Sequence, residues 1–190
     1  MRSAVDLGCA AVCVSSVHVR TAARAARGSD LRIAAVAGFP LGASPLTAKL
    51  EECRFALDQG AHELDVVLPL WAVLAGDSAT VESELAAFVN ATARAGAICK
   101  VILEMALLGE RLDATLALVN RHRPAFAKTG TGHARPVTPD DVRTLRARLD
   151  PRVAIKAAGG IRSRAQAEAL VEAGADRLGA SSAAEILRSP

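Results

Sequence analysis

The chain has 190 residues, 51% of them hydrophobic and 23% charged, with 14 Gly, 8 Pro and a formal net charge of +3. This composition excludes disordered, collagen-like and low-complexity classes, and no run approaches the ~18 uninterrupted apolar residues of a membrane span. Scattered arginines, 3% aromatics and no Tyr also exclude the basic stripe and stacking platform of a nucleic-acid binder. One domain spanning residues 1–190 is expected. MRSAVDLGCA lacks a signal-peptide pattern, so the cytoplasm is the expected location, with no membrane and no nucleic-acid partner.

Short apolar runs alternate with longer helical patterns. The chain opens in what reads as the end of a helix, Ser3 to Gly8. Strands are predicted at 10–14, 32–37, 62–68, 99–104, 124–128, 152–156 and 175–180, and helices at 17–27, 45–58, 78–95, 110–121, 139–148 and 163–173. The strand runs are nearly continuous apolar sequence, which suits parallel strands buried on both faces. Thr138-Pro139 starts a helix, and Gly60, Gly96 and Gly174 fall where helices stop. Repeated βα units imply an α/β fold. No GxGxxG follows a strand, so the expectation is an eight-stranded (β/α)8 TIM barrel with seven strands visible and the first βα unit truncated.

Only four of the 23 basic residues are lysine: Lys49, Lys100, Lys128 and Lys156. Three of them stand in strand-like segments, where an amine can lose its proton as a guanidinium cannot. Lys128 and Lys156 each close a predicted strand and precede small residues, and in a barrel that end carries catalytic groups. Two ammonium groups on adjacent strands lower the proton affinity of at least one, which suits a Schiff-base amine. The plainer reading is that each lysine reaches past its strand end to solvent. Glu63, Asp65 and Val67 share one face of their strand, and Lys100, Ile102 and Glu104 one face of the next. A Lys/Asp/Glu network across the interior is therefore expected, either functional or a structural ion-pair layer. Gly159-Gly160 and Ser181-Ser182 lie in consecutive loops and read as a phosphate site, or as turns and caps. The histidines have no nucleophile at recognisable spacing and read as surface or packing residues, His133 alone being near the site. Cys9, Cys13, Cys53 and Cys99 show no metal spacing and are expected to be small buried hydrophobes.

In order along the chain, VCV (12–14), VAGFPLGAS (36–44), GAHELDVVLP (60–69), CKVILE (99–104), FAKTGTG (126–132), IKAAGGIR (155–162) and GADRLGASS (174–182) resemble the motif series of the deoxyribose-phosphate aldolases. The resemblance implies a class I aldolase with no metal and no cofactor. It would cleave 2-deoxy-D-ribose 5-phosphate reversibly to D-glyceraldehyde 3-phosphate and acetaldehyde. On this resemblance Lys128 forms the Schiff base and Lys156 is the second lysine that depresses its pKa. Asp65 relays protons through a water, with Lys100 in its network, while Gly159, Gly160, Ser181 and Ser182 hold the phosphate. A homo-oligomer, dimer or tetramer, is expected. The sequence departs from the family pattern in lacking an Asp-His-Thr-like first strand. It also has Gly130 where Ser is usual, His133 where Phe is frequent, and Ser15-Ser16 in place of a polar-Pro pair. A sugar-phosphate isomerase or synthase without covalent catalysis, and an inactive paralogue acting only in assembly, are the alternatives.

Overall fold

The structure is a computed structural model that describes residues 2–188. After a first turn of helix, α1 (Arg2–Asp6), the elements run β1 (Ala11–Ser15), α2 (Val19–Ala25), β2 (Arg32–Ala37), α3 (Leu46–Asp58) and β3 (Glu63–Val67). They continue through α4 (Leu70–Ala75), α5 (Ser78–Arg94), β4 (Ile98–Ile102), α6 (Met105–Leu108) and α7 (Leu112–His122). The chain then completes β5 (Phe126–Lys128), α8 (Pro139–Arg148), β6 (Ala154–Ala158), α9 (Arg164–Glu172), β7 (Arg177–Gly179) and α10 (Ala183–Arg188).

All seven strands are parallel and pair in chain order, β1 beside β2 through to β6 beside β7. A flat sheet would hold β3 and β7 roughly 19 Å apart at the usual strand spacing. Instead the Arg177 guanidinium on β7 donates to Glu63 on β3 at 2.8 Å. The sheet is therefore curled, a half-barrel wall of the TIM kind with a concave face closed across its centre. Its outward side chains, including Leu64, Val66, Val101, Ala127 and Ile155, join Leu85, Phe88, Val119, Val142 and Leu145 of the helices in the main core.

The helix signals act as the sequence suggests. Thr138 and Ser163 cap α8 and α9 with reciprocal side-chain bonds to the third helical residue. Gly60, Gly96 and Gly174 follow α3, α5 and α9 with positive φ. Two expectations change. Strands buried on both faces hold for the inner strands, but β1 and β7 are only partly buried. Each has a paired neighbour on one side only among the described residues. The run 152–156 also begins two residues early, so Lys156 sits in mid-strand with Ala157 and Ala158 still paired to β7.

Lys49, the one lysine outside the strands, is wholly buried on α3. It pairs with Glu84 of α5 and donates to the Gly42 carbonyl at 3.0 Å. Glu52 accepts from the Gly38 amide at 2.9 Å. A Cβ on Gly42 would lie 2.0 Å from the Leu68 carbonyl oxygen, so only glycine permits this approach. These contacts fix the loop after β2 at the mouth of the wall, where Phe39 meets His133 edge-on at 5.3 Å.

Candidate active site

Period-2 alternation sends Glu63 and Asp65 of β3, Lys100 of β4, Lys128 of β5, Lys156 of β6 and Arg177 of β7 to the concave face. Strand register places Asp65 opposite Lys100, and Lys128 opposite Lys156. The Asp65 carboxylate gathers all three lysines. Lys100 Nζ lies 2.6 Å from Oδ1, while Lys128 and Lys156 Nζ lie 3.0 and 2.5 Å from Oδ2. Lys100 also reaches Glu63 at 2.7 Å, and Glu63 is held from below by Arg177, itself stacked over Phe126. Gly179 leaves room for this packing, since a Cβ there would meet Lys156 Cε at 3.1 Å.

Neither lysine at the mouth reaches past its strand to solvent. Both side chains are 7% exposed, and Asp65 and Lys100 are wholly buried. Four cations thus face two carboxylates, leaving the ionised layer a net charge of +2. Burial alone would raise the Asp65 carboxyl, but Lys128, Lys156 and Lys100 outweigh it and hold it well below the usual carboxylate range. Glu63 is likewise lowered, burial being overcome by Lys100 and Arg177. The Lys156 ammonium moves the other way from a simple ion pair. Burial lowers its pKa, Asp65 opposes the fall, and Lys128 adds to it. One carboxylate shared among three ammonium groups does not compensate each of them fully.

The other sequence candidates divide. Gly159 and Gly160 follow β6 and Ala180–Ser182 follow β7, and the last paired residues of those strands are Ala158 and Gly179, so both loops leave the same end of the wall. Ser182 accepts at its carbonyl from the Glu185 and Ile186 amides of α10, and Ser181 is exposed. The two glycines have a second reason to be glycine. A Cβ on Gly159 would lie 2.9 Å from Gly132 Cα, and one on Gly160 2.7 Å from Pro136 Cβ. Glu104 does not join the lysine network. It lies beyond the end of β4 with φ 55° and turns its carboxylate to Thr131. Cys53 and Cys99 are buried as expected, but Cys9 is only half-buried and Cys13 is exposed. Cys13 faces inward from a strand whose outer side has no neighbour among the described residues, and its Sγ lies 3.9 Å from Asp65 Oδ2. Arg177 is not among the candidates drawn from the sequence, although it is a charged residue inside the predicted strand 175–180; its register opposite Lys156 turns it inward. His62 accepts from the Ile33 amide at 3.0 Å and His122 contacts Glu82, both packing roles. Among the described residues no group of three or more His, Cys, Asp or Glu is placed to hold a metal ion. No helix among them is long and apolar enough to cross a membrane.

No protein-family model matches the chain. Curated proteins do: the deoxyribose-phosphate aldolase of Streptococcus pneumoniae serotype 19F is 39% identical over 191 residues, covering 99% of this chain and 86% of that protein. The chain belongs to the deoxyribose-phosphate aldolase family. Among solved structures, the deoxyribose-phosphate aldolase from Aeropyrum pernix superposes with a TM-score of 0.91 at 34% identity, covering 99% of this chain and 80% of that one. The aldolase QR15 superposes with a TM-score of 0.91 at 34% identity over 98% of this chain and 83% of its own. The chain is thus an aldolase, a carbon–carbon lyase, and its ion layer lies on the concave face of the wall.

For this aldolase, Asp65→Asn is expected to destabilise the fold by about 3 kcal/mol or more at neutral pH, because it leaves buried ammonium groups without their counter-charge. The wild-type Asp65 pKa is depressed on folding. Its contribution is therefore complete above the unfolded value of about 4 and is lost as pH falls below that. Urea unfolding across pH should show the acid-side loss diminished in the variant. The deficit should shrink at alkaline pH, where lysines shed protons. An unchanged acid limb would contradict the assigned role of Asp65.

Proposed function

We propose that the aldolase cleaves 2-deoxy-D-ribose 5-phosphate reversibly to D-glyceraldehyde 3-phosphate and acetaldehyde through a Schiff base on Lys128. The observation that carries this reading is the junction of Lys128, Lys156 and Lys100 on one buried carboxylate, at the end of a strand that continues into Thr129-Gly130-Thr131-Gly132. A surplus of positive charge in a water-poor layer favours release of a proton from one amine, and a free amine adds to an aldehyde. The curated relatives are named deoxyribose-phosphate aldolases, which supports this choice of substrate.

In the retro-aldol direction Lys128 Nζ adds to the C1 aldehyde of the open-chain sugar, and the carbinolamine loses water to give an iminium. The iminium accepts the electron pair of the C2–C3 bond as that bond breaks, while the C3 hydroxyl gives up its proton and becomes the aldehyde of glyceraldehyde 3-phosphate. The remaining enamine takes a proton at C2, and hydrolysis releases acetaldehyde and the free amine. Asp65 lies too low to hold a proton near neutrality, so it anchors the lysines and orients the water that relays protons. Lys156, with its lowered pKa, is the group that gives and takes the proton. Lys100 fixes Asp65 from the opposite side by bonding Oδ1. The loops of Gly159-Gly160 and Ser181-Ser182 bind the phosphate through backbone amides and hydroxyl groups.

We also read the curled sheet, seven parallel strands among the described residues, as a wall of the (β/α)8 barrel kind. Self-association is part of the same reading. Exposed Trp71 and Leu74 on α4 and Leu107 on the adjoining α6 form an apolar surface suited to a second subunit, and the Aeropyrum pernix relative is tetrameric.

The test is a retro-aldol assay with the sugar phosphate, run with and without borohydride. Turnover together with irreversible loss of activity on borohydride addition is expected. Turnover unaffected by borohydride would favour a non-covalent mechanism, and absence of turnover would remove the substrate assignment.

A further inference from the structure

Glu104 is buried, and the lysine chemistry does not use it. It stands just beyond β4 with φ 55°, a left-handed conformation uncommon for a residue other than glycine. The backbone on either side of it is tied to the reactive segment. The Leu103 amide donates to the Lys128 carbonyl at 2.9 Å, and the Met105 amide donates to the Thr129 carbonyl at 2.8 Å. The Glu104 side chain then closes over Gly130 and Thr131. Its Oε2 accepts from the Thr131 amide at 3.0 Å and also from the Thr131 hydroxyl. That hydroxyl in turn accepts from the His133 amide at 3.2 Å. Oε1 occupies the space beside Gly130, where a Cβ would lie 2.6 Å away. The opposite side of the segment is held by Thr129, whose hydroxyl donates to the Ala158 carbonyl and accepts from the Ala158 amide, both at 3.1 Å.

From this geometry we propose that Glu104 is a positioning residue for Lys128, acting through Thr131, and that Gly130 is the complement its carboxylate requires. The inference rests on the reading of Lys128 as the nucleophile. A strained backbone held by converging bonds is expected where alignment matters. A lysine that must meet an aldehyde carbon along a defined approach loses rate when its strand end drifts, by up to about 100-fold for a displacement near 1 Å. The absence of a side chain at Gly130 belongs to the same fit, since a Cβ there would meet Oε1. A larger residue would push the carboxylate off Thr131.

The test compares Glu104→Ala, Glu104→Gln, Thr131→Val and the double variant Glu104→Ala/Thr131→Val with wild type. The measurements are retro-aldol kinetics and the rate at which acetaldehyde and borohydride inactivate the enzyme. Glu104→Ala and Thr131→Val should each lower kcat and the inactivation rate on the order of 10- to 100-fold. KM should stay within a few-fold, and the pH profile should be unchanged because no group in contact with the lysines is lost. Glu104→Gln keeps an acceptor oxygen and should recover to within a few-fold of wild type. The double variant should be no slower than the slower single one, since both act through one contact. Inactivation of Glu104→Ala at the wild-type rate, or a loss explained wholly by its unfolded fraction, would overturn the proposal. So would a Glu104→Gln as slow as the alanine variant. If wild type itself is not inactivated, it is the assignment of Lys128 that fails.

Discussion

Replacement of Lys128 by methionine is expected to lower retro-aldol kcat on the order of 10⁴-fold or more, the scale on which loss of a covalent nucleophile acts. The fold should survive the change. Methionine fills a similar volume, and its introduction removes one of four cations around two carboxylates, so Asp65 keeps Lys100 and Lys156 as partners. Thermal unfolding of the variant should therefore lie at or above the wild-type midpoint. That combination separates a nucleophile from a residue needed only to pair a buried carboxylate. A variant that lost activity and stability together would instead place Lys128 in the structural ion layer.

Lys156→Leu is expected to lower kcat on the order of 100-fold or more, the scale of general acid–base assistance, and to move the rising limb of the pH–rate profile to higher pH. The direction follows from the charge count. Taking one ammonium away from the layer makes the remaining amines hold their protons more strongly, so the free amine forms only at higher pH. Stability should change with the opposite sign from Asp65→Asn. Because the Lys156 pKa is lowered on folding, its charged form weakens the folded state below that pKa, and the penalty lifts as pH rises toward the unfolded value of about 10.4. Lys156→Leu should thus unfold no more easily than wild type at neutral pH, and a pH–rate profile coincident with wild type would rule out the coupling.

Much of this arrangement is legible in the sequence, for identifiable reasons. Continuous apolar runs mark the seven strands. Period-2 alternation predicts that Glu63, Asp65 and Lys100 share the interior, and parallel pairing in chain order puts Lys128 beside Lys156. The same rule fails at Glu104, because the backbone turns left-handed beyond the end of β4 and alternation no longer says where a side chain points. Ala157-Ala158 reads as the start of a Gly-rich loop because alanine has little strand preference, yet pairing with β7 carries β6 through both residues. The helices α4 and α6, six and four residues long, are too short to establish a 3.6-residue period. Gly159 and Gly160 look like a phosphate turn from sequence alone. Their close approach to Gly132 and Pro136 depends on loops brought together only by the fold. Cys13 departs from its expected burial for the same kind of reason, since its exposure depends on what lies beside β1 and not on its own apolar context.

The claim that Lys128 is the nucleophile is tested most directly by mapping the modified residue. The wild-type aldolase is treated with acetaldehyde and borohydride, digested, and its peptides sequenced by mass spectrometry. Reduction of the imine leaves an ethyl group on the attacking nitrogen. N-ethyl-lysine is expected at Lys128, with Lys100 and Lys156 unmodified and the Lys128→Met variant unlabelled. An ethyl group found at Lys156, or labelling that persists in the Lys128→Met variant, would show that the nucleophile lies elsewhere.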